Sequence, residues 1–166
     1  SETPDVPSKS WGAQYNRVCS YAILTDKATK QDFVVFNTHL SHVSDEARIN
    51  GIQVVLDKIS QFGSLPAVIM GDFNAVMSSY ALKAAEWAGW KEVHYLALGD
   101  SDSTRGHHPC GGDGYKRVDM GTFDQAIDHI MLKNGDGVKI NYFRRLTDEY
   151  FDKISDHYPL YIDVEL

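Results

Sequence analysis

The sequence is poor in several features that mark specialised classes of protein. Its two cysteines, Cys19 and Cys110, are too few for a disulfide scaffold, although one bridge and two free thiols both stay open. No apolar run reaches the roughly 18 residues that a membrane-spanning helix needs. No signal peptide is visible at residue 1, and since the chain does not begin with Met the compartment, cytoplasmic or secreted, stays open. Internal repeats and low-complexity segments are also lacking.

A surplus of positive charge is lacking as well. The 16 lysines and arginines are outnumbered by 23 aspartates and glutamates, which gives a net charge of −7. Proteins that bind nucleic acid without sequence preference usually carry a basic surplus, so charge alone does not favour a long polyanion as the partner. Nucleic acid stays an open alternative, because a metal ion can supply positive charge locally. The length and the 43% of hydrophobic residues are ordinary for one globular domain.

Local patterns predict a mixture of strands and helices. Residues 1–10 are polar and aperiodic and read as a linker or surface loop. The strand-forming runs VCSYAILT and DFVVFNTHL flank the turn DKATK, which predicts an antiparallel hairpin. Helical spacing of apolar residues over 44–62 predicts a helix capped by Ser44. A second helix is predicted from a cap at Ser78 or Ser79 through Trp87, ended by Gly89.

The second half of the chain reads as further strands around one long loop. The apolar run AVIMGD is typical of a buried central strand. AIDHIML and VKINYFRRL flank NGDG and are predicted to pair as a hairpin, and HYPLYIDVEL is the last strand. Within the aperiodic loop, residues 101–118 are a candidate substrate lid or simply a solvated loop. Residues 11–166 are therefore expected to form one α+β unit, with helices covering one face of a mostly antiparallel sheet.

Polar residues with catalytic chemistry stand where four of these apolar strands end or begin. Phosphate-ester hydrolysis needs carboxylates for a hard cation, a carboxylate or imidazole for the attacking water, and donors for the phosphoryl oxygens. Strand ends that meet at one edge of a sheet bring such groups together. The four motifs are Asn37-Thr38-His39-Leu40, Gly71-Asp72-Phe73-Asn74, Ile127-Asp128-His129-Ile130 and Ser155-Asp156-His157.

In this order, and above all in GDFN followed by a closing SDH, the motifs resemble the endonuclease/exonuclease/phosphatase superfamily, whose fold is that of deoxyribonuclease I. The resemblance covers nearly the whole chain and the C-terminal half of the family domain. It implies half of a four-layer α/β/β/α sandwich. It also implies hydrolysis of a phosphodiester or phosphomonoester with Mg²⁺, or Mn²⁺, as cofactor. Members of the superfamily cut DNA, RNA, phosphoinositides or sphingomyelin, so the fold does not specify the substrate.

The resemblance implies a role for each matching residue. His39 matches the histidine that contacts the phosphate or protonates the leaving oxygen. Asp72 matches the aspartate that orients or deprotonates the attacking water, and Asn74 matches the amide that helps to hold that water and the phosphate.

The two later motifs supply the other implied roles. His157 matches the histidine that faces the scissile phosphorus, either as a base or as a transition-state donor. Asp128 matches the aspartate that orients His157 and fixes its tautomer. Asp156 matches a metal-binding carboxylate.

The N-terminal motifs of the superfamily have no counterpart here. The superfamily carries an Asn in its opening strand and a Glu that is a principal metal ligand, whereas residues 1–36 contain one glutamate, Glu2, in the linker-like tail. The chain is therefore expected to start midway through the domain and to bind Mg²⁺ weakly by itself. Its exposed apolar sheet is expected to pair with the N-terminal half or with a second copy. The alternative is a non-catalytic fragment or binding module.

Structural explanations compete with each functional one. Asp72 and Asn74 are also common turn residues, and Asp128 could be an outward-facing strand residue. His129 is expected to be structural or at the surface, since alternation places it opposite Asp128. Arg48 either reaches a phosphate or is a solvated helix residue.

A zinc site formed by four histidines is disfavoured, because no HExxH or CxxC frame accompanies them. His42 is instead expected to line the mouth of the site. The four histidines are His39, His42, His107 and His108.

Overall fold

The computed structural model of the chain describes residues 1–98, 126–146 and 154–166. The candidate lid at 101–118, with His107, His108 and Cys110, lies outside the described residues. Cys19 is a free thiol, and burial raises its pKa to about 11. No helix among the described residues is long and apolar enough to cross a membrane.

A five-stranded sheet occupies the centre of the fold, and its antiparallel pairs predominate. The predicted N-terminal hairpin is confirmed, because the first two strands pair antiparallel. The second and third strands are parallel, and the fifth runs antiparallel to both the third and the fourth. In space the order is β1-β2-β3-β5-β4. These strands are β1 (Cys19–Thr25), β2 (Asp32–His39), β3 (Ala67–Asp72), β4 (Lys91–Glu92) and β5 (Asp128–Lys133).

Two α-helices pack against this sheet, and their predicted caps are confirmed. Helix α1 (Asp45–Ser60) begins where the Ser44 side chain accepts a hydrogen bond from the Ala47 backbone N–H at 3.1 Å. Helix α2 (Tyr80–Trp87) begins at Ser79, whose side chain accepts from the backbone of Leu82. A 3₁₀ turn, Val93–Tyr95, follows β4. Phe62, just beyond α1, packs edge-on against Phe36 of β2, so α1 covers the face of β2 that carries Phe36.

The last two strands form a second sheet, which corrects one prediction. Strands β6 (Lys139–Arg145) and β7 (Leu160–Glu165) pair antiparallel with each other in a two-stranded sheet. The hairpin predicted across NGDG is therefore wrong. Strand β5 already pairs with β3 on one edge and β4 on the other, so no edge is left for β6. Asn134 and Gly137, both with positive φ, turn the chain away from β5 instead.

The described chain is thus α+β, with a five-stranded mixed sheet, a two-stranded sheet and two helices. The single sheet expected from this part of the chain is accompanied by a second. Burial is uneven across the larger sheet. The four central residues of β5 are buried, whereas β1, at the edge, is exposed from Ser20 to Thr25, including Tyr21, Ile23 and Leu24. Among the strands of the larger sheet, the exposed large apolar side chains are therefore concentrated on β1.

Candidate active site

Two carboxylates stand side by side at one end of the larger sheet. Asp72 is the last residue of β3 and Asp128 the first of β5, and the antiparallel register pairs them directly. Paired residues in adjacent strands project their side chains to the same face, with Cα atoms about 4.5–5.5 Å apart. Their side chains are only 16% and 14% exposed. The sheet itself therefore holds two largely buried acids close together.

His157 reaches this pair from the segment that precedes β7. Its Nδ1 lies 2.7 Å from Asp128 Oδ2, and its Nε2 lies 3.9 Å from Asp72 Oδ2. The His157 backbone N–H donates to Ser155 Oγ at 3.0 Å, which shapes the turn before the strand. The expected hydrogen bond between Asp128 and His157 is present. It makes Nδ1 the donor to Asp128 and directs Nε2 towards Asp72.

His39 lies at the opposite side of Asp72, at the end of β2. The parallel register pairs the two residues, and His39 Nε2 lies 3.3 Å from Asp72 Oδ2. The His39 side chain is 54% exposed, so the site opens to solvent here. Gly71 permits the close approach of the two strands. Its φ is +134°, and a Cβ at this position would lie 1.9 Å from the carbonyl oxygen of Thr38.

Asn74 fixes the turn that follows Asp72. It has a φ of +48°, a left-handed conformation that asparagine tolerates better than most residues. Its backbone N–H donates to Asp72 Oδ1 at 2.8 Å, and its side-chain Nδ2 donates to the carbonyl of Leu40 at 3.1 Å. Asn74 thereby ties the Asp72 turn to the residue after His39. Its role in holding water and phosphate stays a prediction.

Asp156 is exposed and lies immediately before His157. It is not one of the three residues whose ligand atoms cluster, although its negative charge helps to raise the pKa of His157. Its predicted role as a metal ligand stays a prediction.

The environments of the two histidines shift their pKa values in opposite directions. The hydrogen bond to Asp128 raises the pKa of His157 against the opposing effect of burial, and nearby carboxylates add to the rise. Burial lowers the pKa of His39; the charge of Asp72 opposes this, whereas the charges of Arg17 and His157 lower it further. Burial also raises the pKa of Asp128. Near neutrality the environment therefore favours a cationic His157 beside a neutral His39, and such a split is typical of catalytic acid–base pairs.

The same residues form a possible metal site. One ligand atom each from Asp72, Asp128 and His157 lies within 4.8 Å of the others. Two carboxylates and an imidazole are a donor set that suits a divalent cation. The chemistry of the donors therefore fits a metal.

A buried ion pair supports this end of the sheet, and its acid partner was missed from the sequence. His129 Nδ1 lies 3.2 Å from Glu92 Oε2, while its Nε2 lies 2.8 Å from the carbonyl of Ala75 and 3.1 Å from that of Ala126. Burial disfavours the imidazolium, but the hydrogen bond and charge of Glu92 raise the pKa of His129 overall. His129 is therefore a structural residue, which was one of the two alternatives expected for it. It joins the turn after Asp72 to the segment before Asp128.

Arg48 is bound to the protein's own backbone. Its Nη1 donates to the carbonyl of Ser41 at 2.7 Å, and its Nη2 pairs with Asp45. Neither alternative from the sequence describes it fully, because its side chain is mostly buried and steadies the loop between β2 and α1.

His42 is exposed next to two residues that sequence reasoning did not single out. Its ring stacks on Tyr15 with centroids 5.8 Å apart, and its Nδ1 lies 3.1 Å from Arg17 Nη2. No local pattern marks Tyr15 or Arg17, because their contact with His42 spans more than 20 residues of chain.

Comparison with known proteins identifies structures that are similar along almost the whole chain. The chain is similar to an endonuclease/exonuclease/phosphatase family protein from Bacteroides thetaiotaomicron, with 28% identity and a TM-score of 0.81 over 99% of this chain and 61% of that one. A conserved Enterococcus faecalis protein of unknown function gives 27% identity and 0.80, over 99% and 62%. A mannosyl-6-phosphatase from B. thetaiotaomicron gives 26% and 0.80, over 100% and 63%. The chain thus spans less than two thirds of these relatives.

No curated protein sequence gives a significant match to the chain. The model of the Endonuclease/Exonuclease/phosphatase family, however, matches residues 6–157, which is most of the sequence. The chain therefore belongs to the Endonuclease/Exonuclease/phosphatase family.

Proposed function

We propose that this chain takes part in metal-dependent hydrolysis of phosphate esters, phosphodiester or phosphomonoester. The observation that carries the proposal is the array in which Asp128 holds His157 at 2.7 Å while His157 and His39 both face Asp72. This array brings together two carboxylates and two imidazoles, and the imidazole pKa is raised for His157 and lowered for His39. Those are the groups that addition of water to phosphorus requires.

Each side chain has a role that its environment favours. Asp72 orients the attacking water and accepts its proton as the oxygen bonds to phosphorus. The bond from phosphorus to the ester oxygen breaks in the same step, and that oxygen leaves as an alcohol with a proton from the solvent that reaches the site beside His39. His157, kept cationic by Asp128, donates a hydrogen bond to a phosphoryl oxygen where negative charge grows. The lowered pKa of His39 favours a neutral ring that donates one hydrogen bond to the phosphate over a ring that protonates the leaving oxygen. Asn74 keeps Asp72 and Leu40 in place around these groups.

We further propose that Mg²⁺, with Mn²⁺ as the second choice, is the cofactor. Asp156 would hold it, so that Asp72 stays available as the base and Asp128 stays engaged with His157. A bound divalent cation supplies neutralisation of the charge that develops on the phosphoryl oxygens.

Similarity to a mannosyl-6-phosphatase supports a phosphate monoester as the substrate. The net charge of −7 also favours a small ester over a long polyanion. Nucleic acid stays the alternative partner. It predicts faster hydrolysis of a phosphodiester than of a phosphomonoester, whereas a small monoester substrate predicts the reverse.

The test is hydrolysis of p-nitrophenyl phosphate and bis-p-nitrophenyl phosphate with Mg²⁺, with Mn²⁺ and with a chelator. We expect activity that needs the metal and that falls at least about 10²-fold in Asp72→Asn, since general acid–base groups typically contribute 10²–10⁴-fold. Asp136→Asn is the matched control, because Asp136 lies in the exposed turn between β5 and β6.

Two results would favour the competing function, a non-catalytic binding module. One is the absence of hydrolysis with every ester and metal in the full-length natural protein. The other is residual activity that Asp72→Asn leaves untouched, because it would come from a contaminating phosphatase.

A further inference from the structure

We infer that Tyr15, Arg17 and His42 form a binding surface for the organic group of the substrate, a hydroxyl-bearing sugar ring. We call this surface the Tyr15–Arg17–His42 shelf. The inference rests on the proposed hydrolysis of phosphate esters. It assigns a binding surface to the part of the substrate that leaves as an alcohol.

The shelf lies beside the catalytic groups. Strands β1 and β2 pair antiparallel with Cys19 opposite Thr38, so the residues just before Cys19 run past His39 and the loop that follows it. Arg17 Nη2 lies 3.1 Å from Nδ1 of His42, which follows His39 by three residues in the chain. A substrate whose phosphate contacts His39 therefore has its organic group within reach of the shelf.

The three side chains hold one another in place. Arg17 Nη2 donates to His42 Nδ1 at 3.1 Å, so the proton of the neutral His42 ring lies on Nε2. The rings of His42 and Tyr15 stack at an angle of 23°, and the Arg17 Cζ lies 5.9 Å above the Tyr15 ring. Because these contacts already restrict the three side chains, less side-chain conformational entropy is lost when a ligand binds.

The chemistry of the shelf fits a sugar. Tyr15 is 55% exposed even though His42 stacks on its ring, so the ring surface that His42 leaves uncovered is accessible to an apolar ring face. A guanidinium has five N–H donors, of which one goes to His42, and His42 adds the donor at Nε2. An exposed aromatic ring bordered by N–H donors matches the C–H face of a pyranose and the hydroxyl oxygens at its edge. A long nucleic acid would need several cations along its path, and the shelf offers one fixed charge.

The test compares substrates in the full-length natural protein. We expect mannose 6-phosphate or glucose 6-phosphate to give a kcat/KM above those of ethyl phosphate, which has no ring, and AMP, which has a base. Arg17→Gln and Tyr15→Ala should each raise KM for the sugar phosphate about tenfold, as expected for loss of a charge-assisted hydrogen bond or a ring contact. The KM for ethyl phosphate should rise much less.

Lys58→Gln is the matched control. Lys58 also lies over a tyrosine ring, Tyr21, at 5.5 Å, but it stands in the last turn of α1. The shelf lies before the first turn of this 16-residue helix, which is roughly 24 Å long at 1.5 Å per residue. Lys58→Gln should leave both KM values unchanged.

Two kinetic outcomes would overturn the shelf. Equal KM increases for sugar phosphate and ethyl phosphate would make Arg17 a phosphate ligand. A KM for AMP below that for the sugar phosphate, together with loss of this difference in Tyr15→Ala, would show that the Tyr15 ring contacts a base and not a sugar. If the protein hydrolyses no ester, the proposed function fails, and chemical shifts on addition of mannose 6-phosphate decide the shelf separately. Shifts that vanish in Arg17→Gln would support it, and their absence in the natural protein would refute it.

Discussion

Glu92 and His129 form an ion pair in which both side chains are 0% exposed, and replacing Glu92 measures what this pair contributes. Loss of one partner from a buried pair typically costs 3–5 kcal/mol, because the other is left buried without compensation. We therefore expect Glu92→Leu to lower the free energy of unfolding by about 3–5 kcal/mol. Glu92→Gln keeps an oxygen that can accept from Nδ1, so its cost should be smaller, about 1–3 kcal/mol.

The effect should depend on pH with a defined sign. The folded-state pKa of His129 is raised, so its contribution is complete below the ordinary histidine pKa of about 6.5 and is lost as pH rises through the raised value. The difference between the natural protein and Glu92→Gln should accordingly be largest near pH 6 and shrink at alkaline pH.

Urea unfolding followed by circular dichroism at several pH values measures both quantities. Glu165→Gln is the control, because Glu165 pairs with Lys139 at the surface, and exposed pairs contribute little. A Glu92→Leu variant no less stable than Glu165→Gln, or a Glu92→Gln difference that grows with pH, would refute the reasoning.

Four more outcomes are expected. Gly71→Ala should leave little soluble folded protein, because its Cβ would lie 1.9 Å from the Thr38 carbonyl oxygen; yield and circular dichroism check this. Asp128→Asn should cut kcat about 10–100-fold and move the alkaline limb of the pH–rate profile to lower pH, because it removes the largest cause of the raised His157 pKa. Calorimetry on the 166-residue chain should show Mg²⁺ affinity weaker than micromolar, lost in Asp156→Ala but not in Asp136→Asn. Light scattering should show that the same chain self-associates, since β1 exposes apolar side chains; a stable monomer that binds no hydrophobic dye would contradict this.

Much of the fold was predictable because its signals are local. The helix caps at Ser44 and Ser79 act within three residues, and the first hairpin joins strands that follow each other in sequence. The Asp128–His157 contact was predictable for another reason. Both residues stand at strand boundaries, and the resemblance to a known family indicated that those boundaries meet.

The remainder depends on contacts between distant parts of the chain. The NGDG turn has the composition of a hairpin, but β5 is occupied on both edges, and no residue near the turn reports this. Glu92 looks like any strand-end acid until His129, 37 residues away, is placed beside it. Tyr15 and Arg17 likewise can be recognised as parts of one surface only when the position of His42 is known.

The spacing between Asp72 and Asp128 is set by a backbone ladder, and this limits how the site can evolve. Asp72 and Asp128 form one pair in the antiparallel register of β3 and β5. A register shift of one residue would turn every side chain of the shifted strand to the other face of the sheet. Mutations elsewhere in these strands therefore cannot change the backbone spacing of the two residues in small steps. If the proposed hydrolysis holds, we expect changes of substrate to arise in the segments that border the site, such as the approach to β1 and the loop after His39.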